Sequence, residues 1–411
     1  MSFSYTVVLP RVKCLHWSGL PPTDGYLLRL PVECFASLEG LKAEWSIEDA
    51  FPPKPPIFLS PNLKNIEMKP SDSSSRSPSS WGMLQRFEHI TRLLLSNIDY
   101  ERAFDIPSLA TALKLCPMLE EVHSTVRGDR PSAGVMVPSK EKHSVPLLHL
   151  QSLSLYYYHK IERLLQLLYV PVLTELALQD DRNHDNLPLI LPSTSLAGFV
   201  EFDEYCLHNI VKLDIVLIDY QYQDFVECIK QLPNLRHLVI AKPTSDSSYG
   251  YQQREEDRSH GFKEDLLVRL TPRMVPAEAT SSNSSEAQSA SDDPPSRPTA
   301  MRLECLCPFL ERFDFLERRN YVNNGHLTLR TVIPFVSAKW EMSKDHPHLV
   351  SKLKHLTLPT RTLPNKNVKK ALKEWRVHAG LVLEIAYPYL KASQKSEQYE
   401  GMWGEGSDSG Y

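Results

Sequence analysis

The stretch LPNLRHLVI at residues 232–240 decides how this chain is read. Pro233 is followed by three apolar side chains, Leu235, Leu238 and Ile240, so the phrase is Pro-x-Leu-x-x-Leu-x-Leu. Clear copies are VPVLTELAL (170–178) and CPFLERFDF (307–315); looser ones are LPRVKCLHW (9–17) and SPNLKNIEM (60–68). The last two apolar positions have the period of a strand, whose side chains alternate between faces. In the copy at 150–155, Leu153 and Leu155 therefore point inward, and Ser152, Ser154 and Tyr156 outward.

Further triples begin at Val12, Ile90, Leu150, Ile210 and Leu353, and degraded copies at Leu41, Leu119 and Leu196. With 42% apolar residues, such triples arise by chance roughly thirty times in a chain of this length, so matching alone decides nothing. Three regularities do. From Val12 to Leu173 the starts are 29, 22, 27, 29, 31 and 23 residues apart, close to a repeat of roughly 20–29. Pro10, Pro61, Pro117, Pro171, Pro233 and Pro308 stand two residues before a first apolar position. Pro lacks an N–H and turns its predecessor away from helix, so each ends one element before the strand begins. Helical stripes lie upstream: Ile106, Leu109, Ala110 and Leu113; Ile161, Leu164, Leu165 and Leu168; Phe225, Ile229 and Leu232.

Helix, Pro and short strand make one unit of a leucine-rich repeat, which cannot bury its apolar face alone. The expected fold class is α/β, an irregular leucine-rich-repeat solenoid over residues 1–390: a right-handed arc of short parallel strands backed by helices. The slot after the strand holds Leu20, Ile98, Tyr158, Asp181 and Pro243 instead of a regular Asn, hence the irregularity. Residues 366–379 read as a helix after an Asn365 N-cap, buried through Ala371, Leu372 and Trp375. With a strand through Leu381, Leu383 and Ile385 it closes the array.

Segments 70–80, 127–146 and 274–300 are polar insertions expected to be disordered, and 391–411 is a disordered C-terminal tail. A helix through Phe262, Leu266, Leu267 and Leu270 precedes the third insertion. Net charge is −4, which speaks against nucleic acid or an anionic membrane as partner. The seven Cys are scattered, and Cys116 and Cys307 fill the apolar slot before a Pro, which suits a reducing compartment. The start lacks a signal-peptide pattern and no run reaches about 18 apolar residues, so an intracellular protein, cytoplasmic or nuclear, is expected.

Catalytic signatures are missing: the sequence holds no G-x-S-x-G elbow, P-loop or Rossmann glycine fingerprint. The expectation is no enzyme, no cofactor and no metal. His346, His348 and His355 read as a solvated loop plus an outward strand position. Cys305 and Cys307 lack a zinc-ribbon partner pair, and Asp180, Asp181, His184 and Asp185 read as a surface turn. Lys366, Lys369, Lys370, Lys373 and Arg376 read as the solvated side of the helix that buries Trp375.

The order LPNLRHLVI (232–240), FKEDLLVRLTPR (262–273), an insertion, LCPFLERFDF (306–315), LVSKLKHLTLP (349–359) and LKEWRVHAGLVLEI (372–385) resembles the leucine-rich-repeat region of fungal F-box family proteins. The resemblance spans most of 145–390. It implies the substrate-recognition part of an SCF-type ubiquitin ligase receptor, holding a protein substrate on the repeats. The F-box itself is apparently absent: the first copy begins near Leu9, and LRLPVECF (28–35) has only a faint likeness to an F-box opening. An SCF adaptor would be a partner if an F-box exists upstream. The alternative is a stand-alone interaction scaffold without a ligase role. In both, the partner-binding side chains are the outward strand positions of a concave face: Arg92, Ser152, Ser154, Tyr156, Glu175, Gln179, His237, Val239, Arg312, Asp314, His355 and Thr357, with Ala177 among them.

Overall fold

The computed structural model describes residues 11–17, 30–45, 56–70, 87–95, 103–128, 144–157, 161–180, 204–216, 222–242, 265–276, 301–317, 329–359, 370, 373–375 and 380–386. The strands among them are β1 (Cys14–Trp17), β2 (Gly40–Trp45), β3 (Asn65–Pro70), β4 (Arg92–Leu95), β5 (Glu121–Val126), β6 (Val145–Pro146), β7 (Ser152–Tyr157) and β8 (Leu168–Tyr169). They continue as β9 (Glu175–Asp180), β10 (Lys212–Val216), β11 (His237–Lys242), β12 (Arg273–Pro276), β13 (Met301–Glu304), β14 (Arg312–Glu317), β15 (His355–Pro359) and β16 (Val382–Ala386). The α-helices are α1 (Ile106–Leu115), α2 (Glu162–Leu167), α3 (Glu204–Asn209), α4 (Tyr222–Lys230) and α5 (Leu329–Asp345), with further helical residues at 265–270 and, within the helix expected at 366–379, at 370 and 373–375, and 3-10 turns at Val32–Phe35 and Pro56–Leu59.

Twelve strands form one open α/β sheet in the order β1-β2-β3-β4-β5-β7-β9-β10-β11-β14-β15-β16. Every pairing is parallel and each strand lies beside its neighbour in sequence order. The phrase positions stack in register. Leu93, Val122, Leu153, Leu176, Leu213, Leu238, Phe313 and Leu356 occupy one line across the sheet, all buried. Leu95, Ser124, Leu155, Leu178, Ile215, Ile240 and Phe315 occupy the next inward line, also buried. Full burial of each such aliphatic side chain is worth roughly 1.5–3 kcal/mol. One contiguous core joins these lines to the buried faces of α1 and α4.

One sequence expectation is corrected here. Leu41 does not open a copy: it pairs with Leu15 and Ile66, so it holds the second apolar position. Buried Leu38 opens that copy and buried Ala43 closes it; the small Ala hid the phase. The degraded copy read at Leu196 lies outside the described residues, and β9 pairs directly with β10.

The Pro positions have a sharper role than stopping helices. The residue before Pro accepts a hydrogen bond from the first apolar position of the phrase: Leu63 N–H to Ser60, Leu119 to Cys116, Leu173 to Val170, Leu235 to Leu232 and Leu310 to Cys307, at 3.1–3.3 Å. Each phrase thus begins with a β-turn whose second residue is Pro, where its fixed φ is already correct. The residue before Pro is buried at every one of these turns. Ser60 can replace an apolar side chain there because its hydroxyl donates to the Phe35 carbonyl at 2.7 Å. A second backbone column follows: Glu39, Lys64, Thr91, Glu120, Gln151, Thr174, Val211, Arg236 and Glu311 carbonyls each accept two successive N–H groups from the next strand's entry.

Asn side chains do form a partial ladder, at the turn before the strand and not after it. Asn62 donates to Ala36 O at 2.6 Å, Asn209 to Pro171 O at 2.7 Å and Asn234 to His208 O at 2.8 Å. Each reaches the second turn residue of the preceding unit, whose carbonyl is otherwise unused by the turn. Asn234→Ala is expected to lower the stability by about 0.5–1 kcal/mol, since water takes over part of the lost bond. The urea midpoint should fall at unchanged m-value.

Helices form on the expected stripes, except that Leu168 belongs to β8 and Leu232 to the turn after α4, both still buried. α1 buries Ile106, Leu109, Ala110 and Leu113, and Asp105 caps it by accepting from Ser108 N–H at 2.8 Å. α5 was not legible in sequence: its stripe Val332, Phe335, Val336 ends on Lys339, and Pro334 lies inside it. Lys339 is fully buried and its Nζ donates to Cys307 O and Pro308 O, both at 2.8 Å. It serves the turn before β14 as the Asn side chains serve theirs. Burial pushes the Lys339 ammonium below its ordinary pKa, against the nearby Cys305 and Cys307 thiols, which raise it.

The insertions are narrower than expected. Val145–Pro146, inside the loop read at 127–146, is β6 and pairs with β8. Met274–Pro276, inside 274–300, belongs to β12, which forms an antiparallel ribbon with β13. At 265–270, Leu266, Leu267 and Leu270 are buried as expected, and Phe262 lies outside the described residues. At the other end, Leu383 pairs with Leu356 as part of β16 and Trp375 packs against the core half-buried; Asn365, Ala371 and Leu372 lie outside the described residues. The tail 391–411 and residues 71–80 also lie outside them.

Candidate functional site: the polar face of the sheet

One face of the sheet carries the packed core, and strand alternation puts the remaining side chains on the other. Along β7 the burial alternates strictly, with Leu153, Leu155 and Tyr157 buried and Ser152, Ser154 and Tyr156 half-buried. Parallel register then lines up the outward positions of every strand. The first outward line runs Arg92, Glu121, Ser152, Glu175, Lys212, His237, Arg312 and His355. The second runs Leu94, His123, Ser154, Ala177, Asp214, Val239, Asp314 and Thr357.

The sequence-derived positions fall into two groups on this face. In the first, Arg92 closes on Glu121 with Nε–Oε2 2.8 Å and Nη2–Oε1 3.2 Å. Glu175 takes Lys212 Nζ at 2.7 Å. Ser152, Ser154 and Ala177 leave a low floor between these pairs. Tyr156 lies against His123, ring centroids 5.1 Å apart, and Gln179 beside it is buried at 5% exposure. Burial, and then the charge of Arg92, hold the His123 imidazole below its ordinary pKa. Tyr158 lies outside the described residues.

The second group is a network around one carboxylate. Asp314, 4% exposed, accepts from His237 Nε2 at 2.9 Å and from Arg312 Nε at 2.7 Å, both on Oδ2. The buried Thr357 hydroxyl donates to Oδ1. Burial by itself would raise the Asp314 pKa; the bonds from His237, Thr357 and Arg312 and the Arg312 charge outweigh it and hold the carboxyl well below the usual range. His355 Nε2 stands 3.9 Å from Asp314 Oδ1 and 3.5 Å from Glu384 Oε2. Val239 is buried between these strands and is part of the floor.

Sequence reasoning chose the outward positions but missed their partners Glu121, Lys212, His123 and Glu384. A signal was present: aligning the copies puts Arg92 over Glu121 and Glu175 over Lys212, opposite charges on neighbouring units. It also missed that Asp314, Thr357 and Gln179 are covered by their neighbours.

The other titratable groups are built differently. Burial pushes the Cys116 thiol up to about 12 and those of Cys228 and Cys307 further still, so these cysteines behave as small apolar side chains. His346 and His348 rings meet edge to face at 6.3 Å, while His355 belongs to the strand network. Among the described residues no three His, Cys, Asp or Glu side chains are grouped to hold a metal ion. Lys370 and Lys373 are exposed; Asp181, His184, Asp185, Lys366, Lys369 and Arg376 lie outside the described residues. No helix among the described residues is long and apolar enough to cross a membrane. No family model matches the chain, and no curated protein matches it.

Proposed function

We propose that the chain is a protein-interaction repeat domain, a leucine-rich-repeat solenoid whose polar sheet face is the concave, partner-binding surface. The observation that supports this most is the register itself. Twelve parallel strands in sequence order align their outward side chains into continuous rows. Such an array offers a long polar surface on a rigid frame, which suits a macromolecule better than a small substrate. The reading is of a binding protein and not an enzyme, working inside the cell, with neither nucleic acid nor membrane as partner.

The order of motifs from 232 to 385 favours a more particular role, substrate recognition within an SCF-type ubiquitin ligase. Co-purification of the full-length gene product with adaptor and cullin subunits tests it. Stable co-purification, with faster turnover of the bound partner, supports the ligase receptor. A partner bound without either subunit, and with unchanged turnover, supports a stand-alone scaffold instead. The face itself is tested by Ser154→Arg, which raises a long cation from the floor between the two ion pairs. Partner affinity should fall at least tenfold with the melting temperature unchanged within about 2 °C, a shift below roughly 1 kcal/mol. Unaltered affinity for every identified partner would exclude this face.

A further inference from the structure

We infer that the His237–Arg312–His355 row is an anchor for a carboxylate side chain of a partner protein, with Arg312 as the residue that grips it. This rests on reading the polar face as the binding surface and names the chemistry it selects. The three residues are register partners on β11, β14 and β15, so they stand side by side at one strand spacing, roughly 4.7–4.9 Å. All three carry nitrogen-bearing side chains; the Asp314 carboxylate that Arg312 and His237 hold lies underneath, while Glu384 stands beside His355. The Arg312 side chain is 43% exposed and that of Asp314 only 5%. At Arg312 the surface met by a partner is therefore cationic, although the network contains a carboxylate.

Arg312 is held ready for this. Its Nε is spent on Asp314 at 2.7 Å, and among the described residues neither Nη has a hydrogen-bond partner. Asp314 is itself fixed by Thr357 and His237. The guanidinium thus presents its outer pair of nitrogens with its orientation already set. A planar fork in that state matches a carboxylate by two parallel bonds and loses little freedom on binding. Neighbouring charges place the partner's acid. Lys212, next in the row, is already occupied by Glu175 at 2.7 Å. On the far side His355 stands 3.5 Å from Glu384 Oε2. The opening is centred on Arg312.

A polyanion fits poorly. Nucleic-acid binding depends on several phosphate contacts at once. Among the described residues this row offers one permanently charged group, Arg312, with only its two outer nitrogens open. One or two carboxylates on a protein surface suit it better.

The test uses the full chain, isotopically labelled, at low salt. The probes are the blocked peptide acetyl-Gly-Glu-Glu-Gly-amide, its Gln-Gln counterpart and inorganic phosphate, followed at the Arg312 Nε–Hε and the His237 and His355 ring signals. The Glu peptide should shift these signals, bind at least tenfold more tightly than the Gln peptide, and lose that advantage in Arg312→Gln. Arg312→Lys, which keeps the charge without the fork, should recover only part of it. Asp314→Asn keeps Arg312 and loosens it, and should weaken the Glu peptide several-fold. Equal binding of both peptides, an undiminished Glu peptide in a folded Arg312→Gln, or phosphate as tight as the Glu peptide would each overturn the inference. With an identified partner, binding that survives Arg312→Gln but is lost in Ser154→Arg would overturn the anchor and keep the face. Survival in both would remove the face as well.

Discussion

Phe313→Ala is expected to destabilise the fold by about 3–5 kcal/mol, the range for truncating a fully buried aromatic side chain. Phe313 is 1% exposed and lies in the buried line between Leu238 and Leu356. Its ring also meets Phe335 of α5 edge to face, centroids 6.2 Å apart, so the variant loses a helix contact as well as strand packing. Each unit of a stacked array contacts mainly its neighbours. The damage should therefore be local: amide exchange should quicken on β11, β14 and β15 and stay near wild type on β3, β4 and β5. Denaturant titration gives the size of the loss and exchange gives its place. A loss under about 1 kcal/mol would mean that Phe313 is not in the core.

Asp314→Ala should cost about 2–4 kcal/mol. The Thr357 hydroxyl, 0% exposed, would be buried without its acceptor, a loss of roughly 1–3 kcal/mol by itself. His237 would lose its bond as well. Arg312 adds less, because its guanidinium reaches solvent. The network also sets a pH dependence with a definite sign. The folded pKa of Asp314 is depressed, so its contribution is complete above the unfolded carboxylate value of roughly 3.9 and drains away as pH falls below it. The unfolding free energy of the native chain should fall across that acid range more steeply than that of Asp314→Asn. Parallel curves for the two proteins between about pH 4 and pH 2 would show that the carboxylate is not held as described.

How far the sequence reaches depends on which physics each feature uses. Leu153, Leu176, Leu213 and Leu238 were legible as a buried line because strand alternation and a repeated phrase act locally. The copy at Leu38 was misphased because its third position, Ala43, contributes little to a hydrophobic pattern yet is buried in the sheet. α5 was obscured because buried Lys339 breaks its apolar stripe; only the two carbonyls it finds at Cys307 and Pro308 make that burial tolerable.

The polar face divides in the same way. Arg92, Tyr156, Glu175 and Arg312 could be assigned to it from alternation alone. Their ion pairs needed neighbouring copies to be aligned on one another as well, because Arg92 and Glu121 are 29 residues apart and Lys212 and Glu175 are 37 apart. His237 and Asp314 are separated by 77 residues, across the ribbon β12–β13 and all that it carries.

By itself the sequence determined that the chain repeats a turn, a short strand and often a helix, and which side of each strand is apolar. Those properties follow from the φ of Pro and from side chains a few positions apart. Only the tertiary structure decided which units are neighbours, that β9 meets β10 directly, and that Asp314 lies covered beneath Arg312 and His237. Pairing register joins residues at distances along the chain that no local pattern encodes, and burial of a carboxylate depends on donors arriving from three different strands.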